Sequence, residues 1–351
     1  MNTQFYAKTN FFYHFFFISA HVFSQSVKLT NNFATQRVDV AIDGKDFTSY
    51  IYPSEDLLKK PILFPIRTAQ GTLITRGFPL SPRAGERTDH PHHVGMWLNF
   101  ENVNEFDYWN NSTAIDSAAR LQKYGLIRHT GILEIKSGNK KGSLKVSAVW
   151  VSNDGKGETT LEEKTTYIFS GNKTQRIIDR ITTLKALRDV VFKDAKDGFF
   201  ALRVARELEH PSDKPEIYTD ANGVATTTPV LDNTNVSGNY KSSEGIEGEK
   251  VWSTRAKWIN LRGQIGAEKI SIVLIDHPLN MGYPTYWHAR GYGLFAANPL
   301  GAKIFSNGKV EKNLHLTKNE TITFRYRTVI NSEVMTDEKI NAIAKKFAES
   351  R

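Results

Sequence analysis

SLKVSAVWV, Ser143 to Val151, places Leu144, Val146, Ala148 and Trp150 out of phase with polar partners. Successive side chains of an extended chain point to opposite faces, so period two signals a strand with one buried side. The same scheme recurs outward in both directions. TTYIFSG (Thr165 to Gly171) and TQRIIDRITTL (Thr174 to Leu184) flank a turn at Gly171-Asn172. KWINLRGQI (Lys257 to Ile265), KISIVLIDHP (Lys269 to Pro278) and TITFRYRTVI (Thr321 to Ile330) continue it. Nearer the start, RVDVAID, the pair Gly44-Lys45 and FTSYIY (Phe47 to Tyr52) read as an opening hairpin.

Many strands joined by short polar turns predict an all-β protein, a large antiparallel β-sandwich. Only the tail carries helical spacing. Ile340, Ile343, Ala344 and Phe347 fall on one face after a plausible N-cap at Thr336, predicting a short helix over about 336–350. No composition break divides residues 25–351, so one sandwich domain is expected. Ser237 to Lys250, rich in Gly, Ser and Glu, is expected to be a surface loop rather than a boundary.

Residues 1–24 read as a signal peptide: Lys8, then the apolar run Phe11 to Ala20, then Val22 and Ser24 before a cleavage point. The apolar run is about half of the ~20 residues that span a bilayer. No later segment is apolar for long enough to cross one, so a soluble periplasmic or secreted protein is expected. The chain has no cysteine, which removes lipid acylation, cysteine–zinc sites and thiol catalysis. Its +9 formal charge is spread over scattered lysines such as Lys136, Lys140, Lys141 and Lys145. That pattern reads as a solvated basic surface, compatible with an acidic polysaccharide and not with a nucleic-acid site. No phosphate loop, nucleophile elbow or dinucleotide fingerprint is present.

The chemistry concentrates in RTDHPHHVGMWLNF (Arg87 to Phe100), where His90, His92 and His93 occupy three of four positions. If the segment is extended, as Pro91 would favour at residue 90, His90 and His92 project to one side. They could then meet one ion or one sugar, with Asp89 orienting an imidazole. Neutral imidazole also suits proton transfer near neutral pH. A divalent metal is the one cofactor candidate, through His90, His92 and His288. Downstream, Asp107 and Trp109 are expected at the rim of a cleft, the indole stacking on a sugar ring. Tyr286, His288 and Arg290 alternate within PTYWHARGYGLFAANPLG (Pro284 to Gly301) and so share a face, with Asn298 in a turn beyond. Arg290 would suit a carboxylate or developing oxyanion. Arg83, on the approach to the histidines, could reach the same cleft; Arg76 is a weaker candidate. Arg203 is read equally well as an interior ion pair.

Four stretches carry a family resemblance: KPILFPIRTAQGTLITRGFPL, DHPHHVGMWLNFENVNEFDYW, GNYKSSEGIEGEKVWSTRAKWI and YWHARGYGLFAANPLG. With them the chain resembles the bacterial PmoA-like, or "methane oxygenase PmoA", family of unknown function. PILFPIR with the later His92-x-x-Gly95 is more distantly similar to galactose-mutarotase-type supersandwiches. That likeness implies a sugar-sized cleft with Arg67 and His92 facing the substrate. It departs at Ile66, where the aldose epimerases usually have asparagine. Members of the resembled family occur in polysaccharide-degrading bacteria, which implies a carbohydrate ligand.

These observations predict a carbohydrate-active enzyme working by proton transfer: an epimerase, lyase or hydrolase. His90, His92, His93 and His288 would be the acids and bases. Arg67, Arg83, Asp107, Trp109, Tyr286, Arg290 and Asn298 would hold the sugar. A non-catalytic glycan-binding protein and a metal-dependent oxygenase are the alternatives. The two histidine-bearing segments are expected to meet in one cleft.

Overall fold

The computed structural model describes residues 1–4 and 26–350. The expected signal segment therefore lies outside the described residues, apart from its first four. Two large antiparallel sheets dominate. The nine-stranded sheet runs, edge to edge, through Tyr286–Arg290, Leu294–Asn298, Gly198–Arg203, Met96–Phe100, Ile62–Ile66, Lys45–Ile51, Arg37–Ile42, Ser26–Asn32 and Gly138–Asn139. The eight-stranded sheet runs through Asn239–Ser242, Trp258–Ile265, Glu268–Asp276, Thr321–Asn331, Gln175–Ala186, Thr159–Gly171, Lys141–Val151 and Leu126–Lys136.

The quoted alternation becomes a burial alternation. In Lys141–Val151, Leu144, Val146, Ala148 and Trp150 are all buried and join a core shared by both sheets. Phe47, Leu98 and Phe200 from the larger sheet, with Phe169 and Tyr326 from the smaller, join the same core. Burying one such side chain is worth about 1.5–3 kcal/mol, which makes register costly to slip.

The C-terminal helix spans Asp337–Ala348, with the Thr336 hydroxyl accepting from the Lys339 backbone at 3.4 Å. Ile340 and Phe347 pack with Trp258, Val273, Ile275 and Val329 on the outer face of the smaller sheet. Helix spacing in the tail thus serves to cover a second apolar surface. Two features were not anticipated. Ser117–Lys123 forms a short helix capped by Asp116. The stretch expected as a plain loop contributes an edge strand, Asn239–Ser242, paired with Trp258–Ile265. No helix among the described residues is long and apolar enough to cross a membrane.

Candidate active site

The outer face of the nine-stranded sheet is not a plain solvent face. Alternation sends Trp287, Phe295, Phe200 and Leu98 into the sandwich core. Their neighbours in each strand must therefore point outward. Register then aligns His288 with Ala296, Ala296 with Ala201, and Ala201 with Trp97 across four strands. Two alanines thus form a low floor between a histidine and a tryptophan. Arg290, Leu294 and Arg203 align in the next row. The segment carrying the histidine triplet folds over this face.

That segment is not extended. His90 has φ +45° and its carbonyl accepts from His93 N at 2.9 Å, so residues 90–93 form a tight turn. The i, i+2 expectation fails for this reason, and i, i+3 stacking replaces it. The His90 and His93 rings lie parallel, 4.8 Å apart at 2°. The turn's carbonyls are held by buried cations. Arg76, 1% exposed, donates to Asp89 O at 2.7 Å, His90 O at 2.8 Å and His93 O at 3.0 Å. Lys60 donates to His92 O at 2.8 Å. Gly95 (φ +59°) lets the chain leave the turn, since a Cβ there would meet Leu63 O at 2.3 Å.

Asp89 sits between two guanidinium groups, with Arg203 at 2.7 Å and Arg76 at 2.9 Å. Burial pushes its carboxyl up, but Arg203, the His90 hydrogen bond and Arg76 outweigh that and hold it well below the usual range. Its other oxygen bonds His90 Nδ1. An ionised carboxylate at Nδ1 fixes the tautomer that carries its proton there and leaves Nε2 as a base. The His90 side chain is 39% exposed, and Nε2 has no protein partner among the described residues.

The second segment reaches the same place. Tyr292, just beyond the strand Tyr286–Arg290, stacks on His90 at 4.9 Å and 8°. His288 is buried, with Nδ1 3.6 Å from Asp197 Oδ1. Burial, then the charges of Lys196 and Arg290, pushes His288 down to about 3, so it is neutral. Burial raises the Asp197 carboxyl, and His90 lies near enough to oppose that rise. Burial likewise raises Glu101 and Asp107 close by.

Several expected residues serve other ends. His93 is 1% exposed, accepts from Trp109 Nε1 at 3.2 Å and stacks on Trp97. Burial and then His92 push it well down, making it a neutral strut inside an aromatic cluster. Trp109, expected on the rim, is 1% exposed and packs on Trp97 at 5.3 Å. Asp107 accepts from Trp109 N, Asn110 N and Asn110 Nδ2, which builds the loop rather than a sugar contact. Asn298 is fully buried and commits its amide to Ala195 O, Lys196 O and Leu300 N. Arg83 pairs with Glu86 and donates to Thr75 O. Arg67 bonds Gly71 O and lines a different hollow with Arg37, Asp39 and Asp46, away from the histidines. Arg203 is an interior ion pair. His92 is largely buried with Nε2 unpartnered, and burial, then Lys60, pushes it well down. Tyr286, half-buried, stacks on Phe305 at 5.6 Å. His90, His92 and His288 do not assemble as ligands: among the described residues no group of three or more His, Cys, Asp or Glu could hold a metal ion.

Sequence reasoning missed Lys60, Asp197, Tyr292 and Trp252. Lys60 is 5% exposed and lies 5.2 Å from the Trp97 ring centroid. A lysine between Lys59 and the apolar run from Pro61 was the available signal. Asp197 has no motif around it, and only the fold brings it to His288.

With this geometry in hand, the class is a two-sheet antiparallel β-sandwich bearing a buried charge network and a half-exposed Asp–His pair on one outer face. The chain belongs to the family of unknown function DUF6807, which it matches over residues 37–345. No curated protein sequence matches it. Among solved structures it is similar to the galactosidase domain of an alpha-galactosidase–sucrose kinase, at 9% identity and a TM-score of 0.39 over 87% of this chain. The chain spans 42% of that protein's length. It is also similar to a galactose mutarotase-like protein from Clostridium acetobutylicum, at 10% identity and a TM-score of 0.40 over 88% of this chain and 99% of that one. A galactose mutarotase related enzyme from Lactobacillus acidophilus is similar at 7% identity and a TM-score of 0.30, over 89% and 98% of the two chains. Likenesses of this size say nothing about what the chain does.

Proposed function

We propose that the protein is an exported enzyme that acts on a sugar or oligosaccharide by histidine-assisted proton transfer. The observation that carries this reading is the Asp89–His90 pair. A carboxylate locked between two buried arginines orients an imidazole that is 39% exposed and whose other nitrogen has no partner among the described residues. Such an arrangement spends two buried cations on placing one base, which is more than a histidine needs for packing. In this reading His90 Nε2 takes a proton from the sugar. Asp197, raised by burial and beside the neutral His288, returns one. The leader-like pattern of Lys8 and Phe11 to Ala20 supports export; N-terminal sequencing of the protein from its host that begins at Met1 would overturn that part.

The test is a screen of oligosaccharides read by mass spectrometry and by NMR in D2O, followed by His90→Ala. Turnover should fall roughly 10²-fold or more, with sugar binding retained. Sugar binding without any turnover by the wild-type protein would instead favour a glycan-binding role.

A further inference from the structure

The cations around this cleft are not alike. Arg76 and Arg203 are tied to Asp89, Arg87 to Glu209 and Glu216, and Arg83 to Glu86. Arg290 makes no ion pair and no side-chain hydrogen bond among the described residues. Its guanidinium lies instead among ring faces, 5.5 Å from the Trp252 centroid and 5.8 Å from that of Tyr292. Glu249, on the turn that carries Trp252, is bonded to Gly291 N at 3.2 Å and does not neutralise it. A second observation is independent of the first: Trp252 Nε1 is buried with no acceptor. A buried N–H donor without a partner costs about 1–3 kcal/mol. Two donors that ask for an acceptor therefore stand side by side. Tyr292 links them to the base, because the same ring stacks on His90.

We infer that the sugar taken by this cleft is a uronic acid, its carboxylate bound by Arg290. This deepens the function proposed above and rests on it. A guanidinium matches a carboxylate with two parallel N–H···O bonds, and the flanking rings fix its plane. The +9 formal charge of the chain favours encounter with an acidic glycan. A bound carboxylate also gives the base a target. The C–H beside a carboxylate is the most acidic carbon position of such a ring, more so when a cation neutralises the charge.

The experiment measures binding of galacturonate, glucuronate, mannuronate and guluronate oligosaccharides beside their carboxyl-reduced counterparts, with a sulfated galactose oligosaccharide as a third arm. At least one uronate should bind tenfold or more tightly than its reduced partner. Arg290→Ala should erase that preference, and Arg290→Lys should restore part of it. Equal binding of acidic and neutral sugars, a preference that survives Arg290→Ala, or tightest binding of the sulfated sugar would each overturn the inference. Its failure and that of the parent reading are separable. His90→Ala should abolish turnover yet keep the uronate preference. A wild-type protein that prefers uronates but turns none over sinks the enzyme and leaves the subsite standing.

Discussion

Lys60 offers a sharp test of the site's electrostatics, through stability rather than activity. Its side chain is 5% exposed, its ammonium has one hydrogen bond, to His92 O at 2.8 Å, and it makes no ion pair among the described residues. Burial lowers it from 10.5 to about 7, with Asp107 opposing the fall. In the unfolded chain the amine recovers its ordinary value. Below pH 7 both states are protonated, so the full cost of burying the charge is present. Between about 7 and 10.5 the unfolded chain binds more protons than the folded one, and stability rises with pH. Each unit is worth about 1.4 kcal/mol, so moving from pH 7.5 to 9.0 should stabilise the protein by roughly 2 kcal/mol through this group. Lys60→Met keeps the length and apolar contact with Trp97 and removes the titration. His92, which Lys60 also pushes down, is lowered first by burial and so stays neutral across this pH window in both proteins. Urea unfolding at the two pH values should therefore show the gain in the wild-type protein and about 2 kcal/mol less of it in the variant. Equal gains in both would refute the buried, depressed amine.

Asp89→Asn strands Arg76 and Arg203 in the interior and should cost about 3–5 kcal/mol of stability, read as a lower urea midpoint. Trp109→Phe removes the donor to His93 and should cost about 1 kcal/mol by the same assay, without a tenfold loss of sugar affinity. Asn298→Ala should lower the melting temperature markedly while sugar affinity holds, because its amide serves only backbone groups. Gly95→Ala should destabilise severely, as its Cβ would sit 2.3 Å from a backbone oxygen and at positive φ; thermal unfolding checks it.

The strands were legible because each sheet has one face in a common core, so burial imposes period two on the sequence. Leu144 to Trp150 shows this, while the tail from Ile340 to Phe347 was legible by helical spacing instead. The outer face of the larger sheet was harder to read, because it is buried too, beneath a loop rather than a sheet. Trp109 therefore looked available for stacking but sits with Trp97 in that second cluster. Asp107 in its loop and Asn298 at the end of its strand read as ligand contacts, when their polar atoms satisfy neighbouring protein groups instead. Burial of the peptide groups demands such partners, and sequence does not say which asparagine supplies them.

The histidine turn shows how composition can point to a segment whose geometry it does not give. Three imidazoles in four positions drew attention to it under either conformation. What decides their roles is the backbone at residue 90, and the choice there is not local. Pro91 disfavours helical φ/ψ at the preceding residue and was read as favouring an extended one. The turn instead takes a left-handed His90, a conformation that carries a cost for a residue with a Cβ. Five hydrogen bonds from Arg76 and one from Lys60 hold the turn and the residues just before it, arriving from 11 or more positions away. Those contacts outweigh the local preference. They also sort the three rings: His93 goes inward against Trp97, His92 is half-buried, and His90 keeps a 39% exposed side chain with Asp89 on its Nδ1. The exposed ring is singled out by what the buried cations do to the backbone, and no spacing rule contains that information.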